Sequence, residues 1–252
     1  MTAWTWAAAS RRGTSHVRAG TRRQDSFGCR VSRQGSTLIV VVSDGAGSAS
    51  HGGQGALLVV RTLLTEVARH FDSEGTMPDD DAVWAWFDLI RDRISLAAVR
   101  RTLDMRDFAA TAILYVGTAD ATLTAHVGDG AAVTRDEVHG AWSAASWPEQ
   151  GEYASTTFFV TDQPAIRLRI SRTEARPSAV AVFSDGIERI ALDLGRAIAH
   201  QPFFVGIVGP VDRSAIAGND TALSAALGRY LDSSAVNERT DDDKTLVLAV
   251  RK

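Results

Sequence analysis

The sequence predicts an α+β fold in which two antiparallel β-sheets are covered by helices. Short runs rich in Val, Ile, Thr and Phe recur between Gly, Asp, Asn or Pro residues. Two long segments with helical spacing interrupt them. Between Gly117 and Gly140 the strand-like runs are joined by tight turns, Thr118–Asp120 and then Gly128–Gly130. That is hairpin connectivity, which implies antiparallel pairing in place of strand–helix–strand alternation.

Strands are expected at Ser36–Ser43, Thr111–Val116, Ala121–Val127, Ala131–Arg135, Thr156–Thr161, Ile166–Ile170, Ala179–Ser184 and Thr245–Val250. Leu57, Val60, Leu64, Val67 and Phe71 form the apolar stripe of a first long helix. A second begins after Pro78, where Asp79, Asp80 and Asp81 suit a helix N-terminus, and its stripe is Val83, Phe87, Ile90, Ile94 and Ala97. A third helical segment is expected between Ser214 and Leu231, with Ala217, Leu223, Leu227 and Leu231 turned inward.

Neither an internal repeat nor a low-complexity linker divides the 252 residues, so a single domain over 1–252 is expected. A net charge of −3 speaks against broad binding to nucleic acid or an anionic membrane. One cysteine, Cys29, excludes an internal disulfide framework and a thiolate-rich zinc site. The opening residues, MTAWTWAAASRR, place their basic pair after the apolar patch, the reverse of a signal peptide. No run approaches the roughly 20 apolar residues of a membrane span. A soluble cytoplasmic protein is expected; oligomeric state has no signature.

The stretch LIVVVSDGAGSASHGG, Leu38 to Gly53, can be read as a nucleotide cradle, a carboxylate hook for a metal, or a tight turn. The cradle fits poorly: the third glycine of a dinucleotide fingerprint is out of place, and no lysine follows as a P-loop requires. The acids form the better pattern. Asp25, Asp44 and Asp185 stand beside predicted strand ends, the run Asp241–Asp243 precedes the last strand, and Asp129 falls in a hairpin turn. A lone Asp-Gly after a strand is usually a turn, and the Asp241–Asp243 run by itself reads as a solvated loop. If the sheets bring them together, such a cluster is stable only when protonated or bound to cations, and all-oxygen ligation selects magnesium, manganese or calcium.

The motifs GTSHVRAGTRRQDSF, VVSDGAG, FAATAILYV, HVGDGAAV, VFSDGI and DDDKTLVLAV occur in an order that resembles the metal-dependent type 2C protein serine/threonine phosphatases. The opening block and GEYASTTFFVTD are similar to a bacterial subgroup. The resemblance runs from about Gly13 to Val250. It implies a four-layer α-β-β-α sandwich, hydrolysis of phosphoserine and phosphothreonine in proteins, and two or three Mn2+ or Mg2+ ions. It further implies that Asp25, Asp44, Asp185 and Asp242 are metal-binding acids, with Asp44 bridging two ions and Gly45 lending its carbonyl. Asp129 matches an acid used for an additional ion, Gln24 stands where many members have Glu, and Asp243 is a polar neighbour of Asp242.

No protein nucleophile is expected. The histidine that eukaryotic members place after Asp-Gly is here Ala46, which leaves the general acid open between His16, His51 and neither. Arg18, Arg22 and Arg23 are candidates to hold substrate phosphate, or a solvated basic loop. Ser146–Pro164 falls where the family carries a flap. The competing functions are a non-catalytic phosphatase-like domain that binds partners or senses metal, and a hydrolase of small phosphate esters.

Overall fold

The computed structural model describes residues 4–32, 36–149 and 157–252. The strands are β1 (Trp4–Arg11), β2 (Ser26–Val31), β3 (Leu38–Ser43), β4 (Ala112–Gly117), β5 (Thr122–Val127), β6 (Ala131–Arg135) and β7 (Trp142–Ser146). They continue with β8 (Arg169–Thr173), β9 (Ala179–Phe183), β10 (Leu192–Asp193), β11 (Ile198–Ala199), β12 (Gly218–Asn219) and β13 (Lys244–Arg251). The helices are α1 (Thr14–Ala19), α2 (Gly52–Ser73), α3 (Asp80–Val99), α4 (Glu188–Ala191), α5 (Gln201–Arg213), α6 (Thr221–Leu231) and α7 (Ser234–Asn237).

Two main sheets result, one ordered β12-β1-β13-β9-β6-β7 and the other β2-β3-β4-β5-β8. All neighbours pair antiparallel except β1 with β12. The central strands are apolar on both faces because both faces are buried. In β3, Ile39 and Val41 join a core against α2 and α3, while Leu38, Val40 and Val42 pack between the sheets. In β13, Val247 and Ala249 face that same middle core, and Leu246, Leu248 and Val250 face α5 and α6. Three cores in series make the four layers α-β-β-α.

Local chemistry sets the helix ends. Asp79 caps α3 by accepting the N–H of Ala82 at 2.8 Å, with Asp80 and Asp81 in the first turn. Such a cap contributes about 1 kcal/mol. In α2 the expected Val60, Val67 and Phe71 lie in the core and Leu64 packs against it, and only Leu57 departs. Leu57 is exposed, and its neighbour Ala56 takes the inward position one turn before Val60 and Leu63.

Four further expectations are corrected. Gly128–Gly130 is no hairpin turn: β5 and β6 belong to different sheets, and the three residues carry the chain across the sandwich. Gly130 has φ +82°, and a Cβ there would come within 2.6 Å of the Phe183 carbonyl, so the crossover requires glycine. The described part of Thr156–Thr161 is not a strand. Val160 is buried there as a loop residue, its carbonyl held by Arg91 at 2.8 Å. The strand expected at Ile166–Ile170 starts at Arg169. The third helix starts at Thr221, capped by Asp220, because the preceding Gly218–Asn219 pairs with β1; Ala217 lies outside it and is exposed. No helix among the described residues is long and apolar enough to cross a membrane.

Candidate metal centre

The acids meet at one end of the sandwich because strand register puts them there. Ser26 pairs with Ser43, which sets Asp25 and Asp44 beside each other just past the ends of β2 and β3. In the other sheet Phe183 pairs with Leu246, and Ser184 donates its N–H to the Thr245 carbonyl. Asp185 therefore sits next to the Asp242–Lys244 segment, and the crossover brings Asp129 to the same end.

Asp25 is 2% exposed, and its Oδ2 accepts the hydroxyls of Ser184 at 2.7 Å and Thr245 at 2.6 Å. Its Oδ1 is buried with no partner, and so is Oδ1 of Asp185. Burial pushes Asp25 up to about 6, partly offset by the neighbouring Asp44 carboxyl and by the hydroxyls of Thr245 and Ser184, with the charge of Asp243 adding to the rise. Asp44 is raised well above the carboxylate range by burial, then by the charges of Asp25 and Asp185. Asp185 is raised likewise by burial, then by Asp129, Asp242 and Asp25. Asp129 is raised by burial, with Asp242 contributing. These mutual effects place five carboxyl groups within one another's field. At an effective dielectric near 20, two charges about 5 Å apart repel by roughly 3 kcal/mol.

The loop after Asp44 is held open by its neighbours. A Cβ on Gly45 would come within 2.2 Å of the backbone of Gly52, so glycine is required by close approach to α2. Thr111 N–H donates to Asp44 O at 2.8 Å and Ala46 N–H to Ala109 O at 2.9 Å, which leaves the N–H and C=O of Gly45 out of this ladder. Gln24 turns its amide Nε2 toward the carbonyls of Ala46 and Ala49, each at 3.4 Å. A glutamate there has no donor for them.

Asp243 is 1% exposed and accepts backbone N–H groups from Gly13 at 2.6 Å, from Gln24, and from Asp25 at 3.4 Å. It knits the opening block to β13, while Asp242 stays half-exposed beside it. His16 Nε2 lies 3.4 Å from Asp242 Oδ1, and Nδ1 lies 3.2 Å from the Arg22 carbonyl and 3.6 Å from Asp243. Arg18 is ion-paired to Asp241 at 2.8 Å; Arg22 and Arg23 are exposed. His51 is engaged elsewhere: its ring packs tilted against Phe108 with centroids 5.1 Å apart, and its Nδ1 meets the Ser50 hydroxyl at 2.9 Å. Of the segment expected to be a flap, residues 150–156 lie outside the described residues. Its flanks pack on the crossover, with the Glu149 N–H on the Gly128 carbonyl at 3.0 Å and the Phe158 carbonyl closing over Gly128.

Sequence reasoning missed Glu188. It is 5% exposed, accepts the Gly130 N–H at 2.6 Å, and is pushed up to about 7 by burial, partly offset by that bond. The available signal was an acid three residues after Asp185, one turn on.

In the side-chain positions adopted, no group of three or more His, Cys, Asp or Glu among the described residues forms a ready metal cage. The donor set nonetheless fits hard divalent cations. It is all oxygen and net negative, with two unpartnered buried carboxylate oxygens that a cation would satisfy.

The family profile described as protein phosphatase 2C matches residues 12–232. The chain is 37% identical to serine/threonine-protein phosphatase 3 of Escherichia coli (strain K12), over 98% of each chain. Its fold is similar to that of PppA, a regulatory component of T6SS in Pseudomonas aeruginosa, with TM-score 0.68, 15% identity and full coverage of both chains. It is also similar to the catalytic domain of the serine threonine protein phosphatase PstP, solved with two manganese ions, with TM-score 0.66 and 17% identity over 100% of this chain and 99% of the other.

Proposed function

The chain belongs to the protein phosphatase 2C family and is a protein serine/threonine phosphatase, and on that premise we propose that its acid cluster holds two or three Mn2+ or Mg2+ ions that drive the hydrolysis. The observation that carries this reading is the meeting of Asp25, Asp44, Asp185, Asp242 and Asp129 at one end of the sandwich, with no lysine or arginine among the described residues ion-paired to the first three. Divalent ions bound there would activate a water and neutralise the phosphoryl oxygens.

The chain's own residues divide the remaining work. Asp44, between Asp25 and the acids of the second sheet, would hold the ions together with the carbonyl of Gly45 beside it. Asp25 and Asp185 each bring an unpartnered oxygen, and Asp242, in the segment that leads into β13, would complete the set. Asp129 lies on the Asp185 side, the place for a further ion. Arg22, exposed and in no ion pair among the described residues, takes the substrate phosphate, whereas Arg18 is engaged by Asp241. In hydrolysis the water oxygen bonds to phosphorus as the bond to the serine or threonine oxygen breaks. That oxygen then needs a proton, and His16, held between Asp242 and the Arg22 carbonyl, is positioned to give it. Substrates are phosphorylated proteins.

The test is manganese-dependent phosphate release from an aryl phosphate and from a phosphoserine peptide. Turnover of both is expected, abolished by chelator. A folded protein without turnover in manganese would support the non-catalytic alternative, and turnover of small esters alone the third reading.

A further inference from the structure

A concavity beside the acid cluster shares Arg189 and Arg239 with a second one farther along the surface. The first, about 320 Å³, is bounded by Asp185, Asp242 and Asn237 as well as by the two arginines. The second, about 410 Å³, is lined on its far side by Ile190, Leu192, Leu194 and His200. Both arginines are exposed, and neither takes part in an ion pair within 4 Å among the described residues. Of the acids that line the two concavities, Asp241 is paired with Arg18, Asp193 lies 3.8 Å from Arg196, Asp185 and Asp242 belong to the cluster, and Glu238 is exposed to solvent. Behind Asn237 the buried Lys244 ammonium donates to its Oδ1 at 2.6 Å, which fixes this wall and adds a third positive charge beneath it.

A pair of unengaged guanidinium groups beside a phosphate-hydrolysing centre has a definite chemistry. The planar fork of Arg matches carboxylate and phosphate oxygens two at a time. We propose that this groove is an accessory anion subsite that selects phosphoproteins carrying a second negative group near the scissile phosphate. The extended substrate chain would lay a carboxylate or a second phosphate on Arg189 and Arg239, and an apolar side chain in the recess of Ile190, Leu192 and Leu194. The proposal rests on the phosphatase reading above, and it names a substrate preference.

The experiment compares kcat/KM, in manganese, on phosphoserine peptides whose flanks carry neutral residues, a pair of acidic residues, or a second phosphoserine. An aryl phosphate serves as the substrate too small to reach the groove. Wild type is expected to favour the two anionic peptides by roughly tenfold through KM, which is about 1.4 kcal/mol. R189A combined with R239A should remove that preference and leave aryl phosphate turnover unchanged, and R189E with R239E should reverse it in favour of the neutral peptide. Binding of the doubly phosphorylated peptide, measured by calorimetry, should weaken in parallel. Comparing the two anionic peptides separates a carboxylate partner from a phosphate one. Equal kcat/KM on all peptides, with aryl phosphate turnover intact, would overturn the subsite alone; loss of aryl phosphate turnover in wild type would overturn the phosphatase reading and the subsite together.

Discussion

Gly13 and Asp243, 230 positions apart, are joined by a 2.6 Å hydrogen bond from the Gly13 N–H to a carboxylate oxygen that is otherwise sealed from solvent. With the N–H groups of Gln24 and Asp25 on the other oxygen, Asp243 holds the opening block against β13. Asp243→Ala leaves these buried donors unsatisfied and should cost about 3 kcal/mol by urea unfolding. Asp243→Asn keeps one acceptor oxygen and should cost less. Equal stability of Asp243→Ala and wild type would show that the tie carries no energy.

Function and stability oppose each other at Asp44 and Asp185. Either residue changed to Asn removes a repelled charge from the cluster. The metal-free variant should melt higher, by about 2–4 °C for each kcal/mol of repulsion relieved. The same variant should lose roughly a thousandfold or more in manganese-dependent turnover. Near wild-type turnover in both variants would contradict the assignment.

The metal-free protein should lose stability as pH rises. A carboxyl whose pKa is higher folded than unfolded binds its proton more tightly when folded. Its contribution is full below its ordinary value of 3.8 and is lost as pH climbs through the folded value, about 6 for Asp25 and well above the ordinary value for Asp44 and Asp185. Manganese competes for the same oxygens, so the rise in Tm that it gives should be larger at pH 8 than at pH 5. A metal-induced shift independent of pH would contradict this.

His126 works in the opposite direction. It is fully buried, with Nδ1 receiving Ser146 Oγ at 2.7 Å and Arg169 at 3.1 Å, so Nε2 carries the proton and donates to the Asp129 carbonyl at 3.1 Å. Burial, then Arg169, lowers it from 6.5 to about 3, while the Asp129 carbonyl partly offsets the fall. A group with a depressed pKa stabilises above its unfolded value and loses that contribution as pH falls from about 6.5 toward 3. His126→Gln should therefore be less stable than wild type at pH 7.5 and nearly equal to it at pH 4, measured by thermal melting.

Gln24→Glu tests why an amide stands there. Losing the donor to the Ala46 and Ala49 carbonyls and adding a charge beside the cluster should lower the melting point of the metal-free protein. The added charge should also tighten manganese binding, read by calorimetry. No change in either would show that the amide is incidental.

The strands at the heart of both sheets were legible because they are buried on two faces, and continuous Val, Ile and Leu runs announce that. β1 was not, since Ala7, Ala8 and Ala9 fit between two cores only because β13 and α6 lie close, a fact with no local trace. The helix α5 was hidden by its internal glycines and Pro210, although Phe204, Val208 and Val211 kept the helical period. At the site the acids were legible as strand-end motifs. Their division of labour was not: the burial of Asp243, the two hydroxyls on Asp25 and the carboxylate of Glu188 on Gly130 depend on which sheet each segment joins. The supposed hairpin at Asp129 failed for that reason, since a two-glycine turn looks alike whether it returns within a sheet or crosses to the next.

The most direct measurement is anomalous diffraction at the manganese edge from crystals grown in Mn2+. The account predicts at least two ions, one of them ligated by Asp44 together with Asp185 and Asp242, and a second sharing Asp44. A well-ordered structure in high manganese with no ion on Asp44 would contradict it.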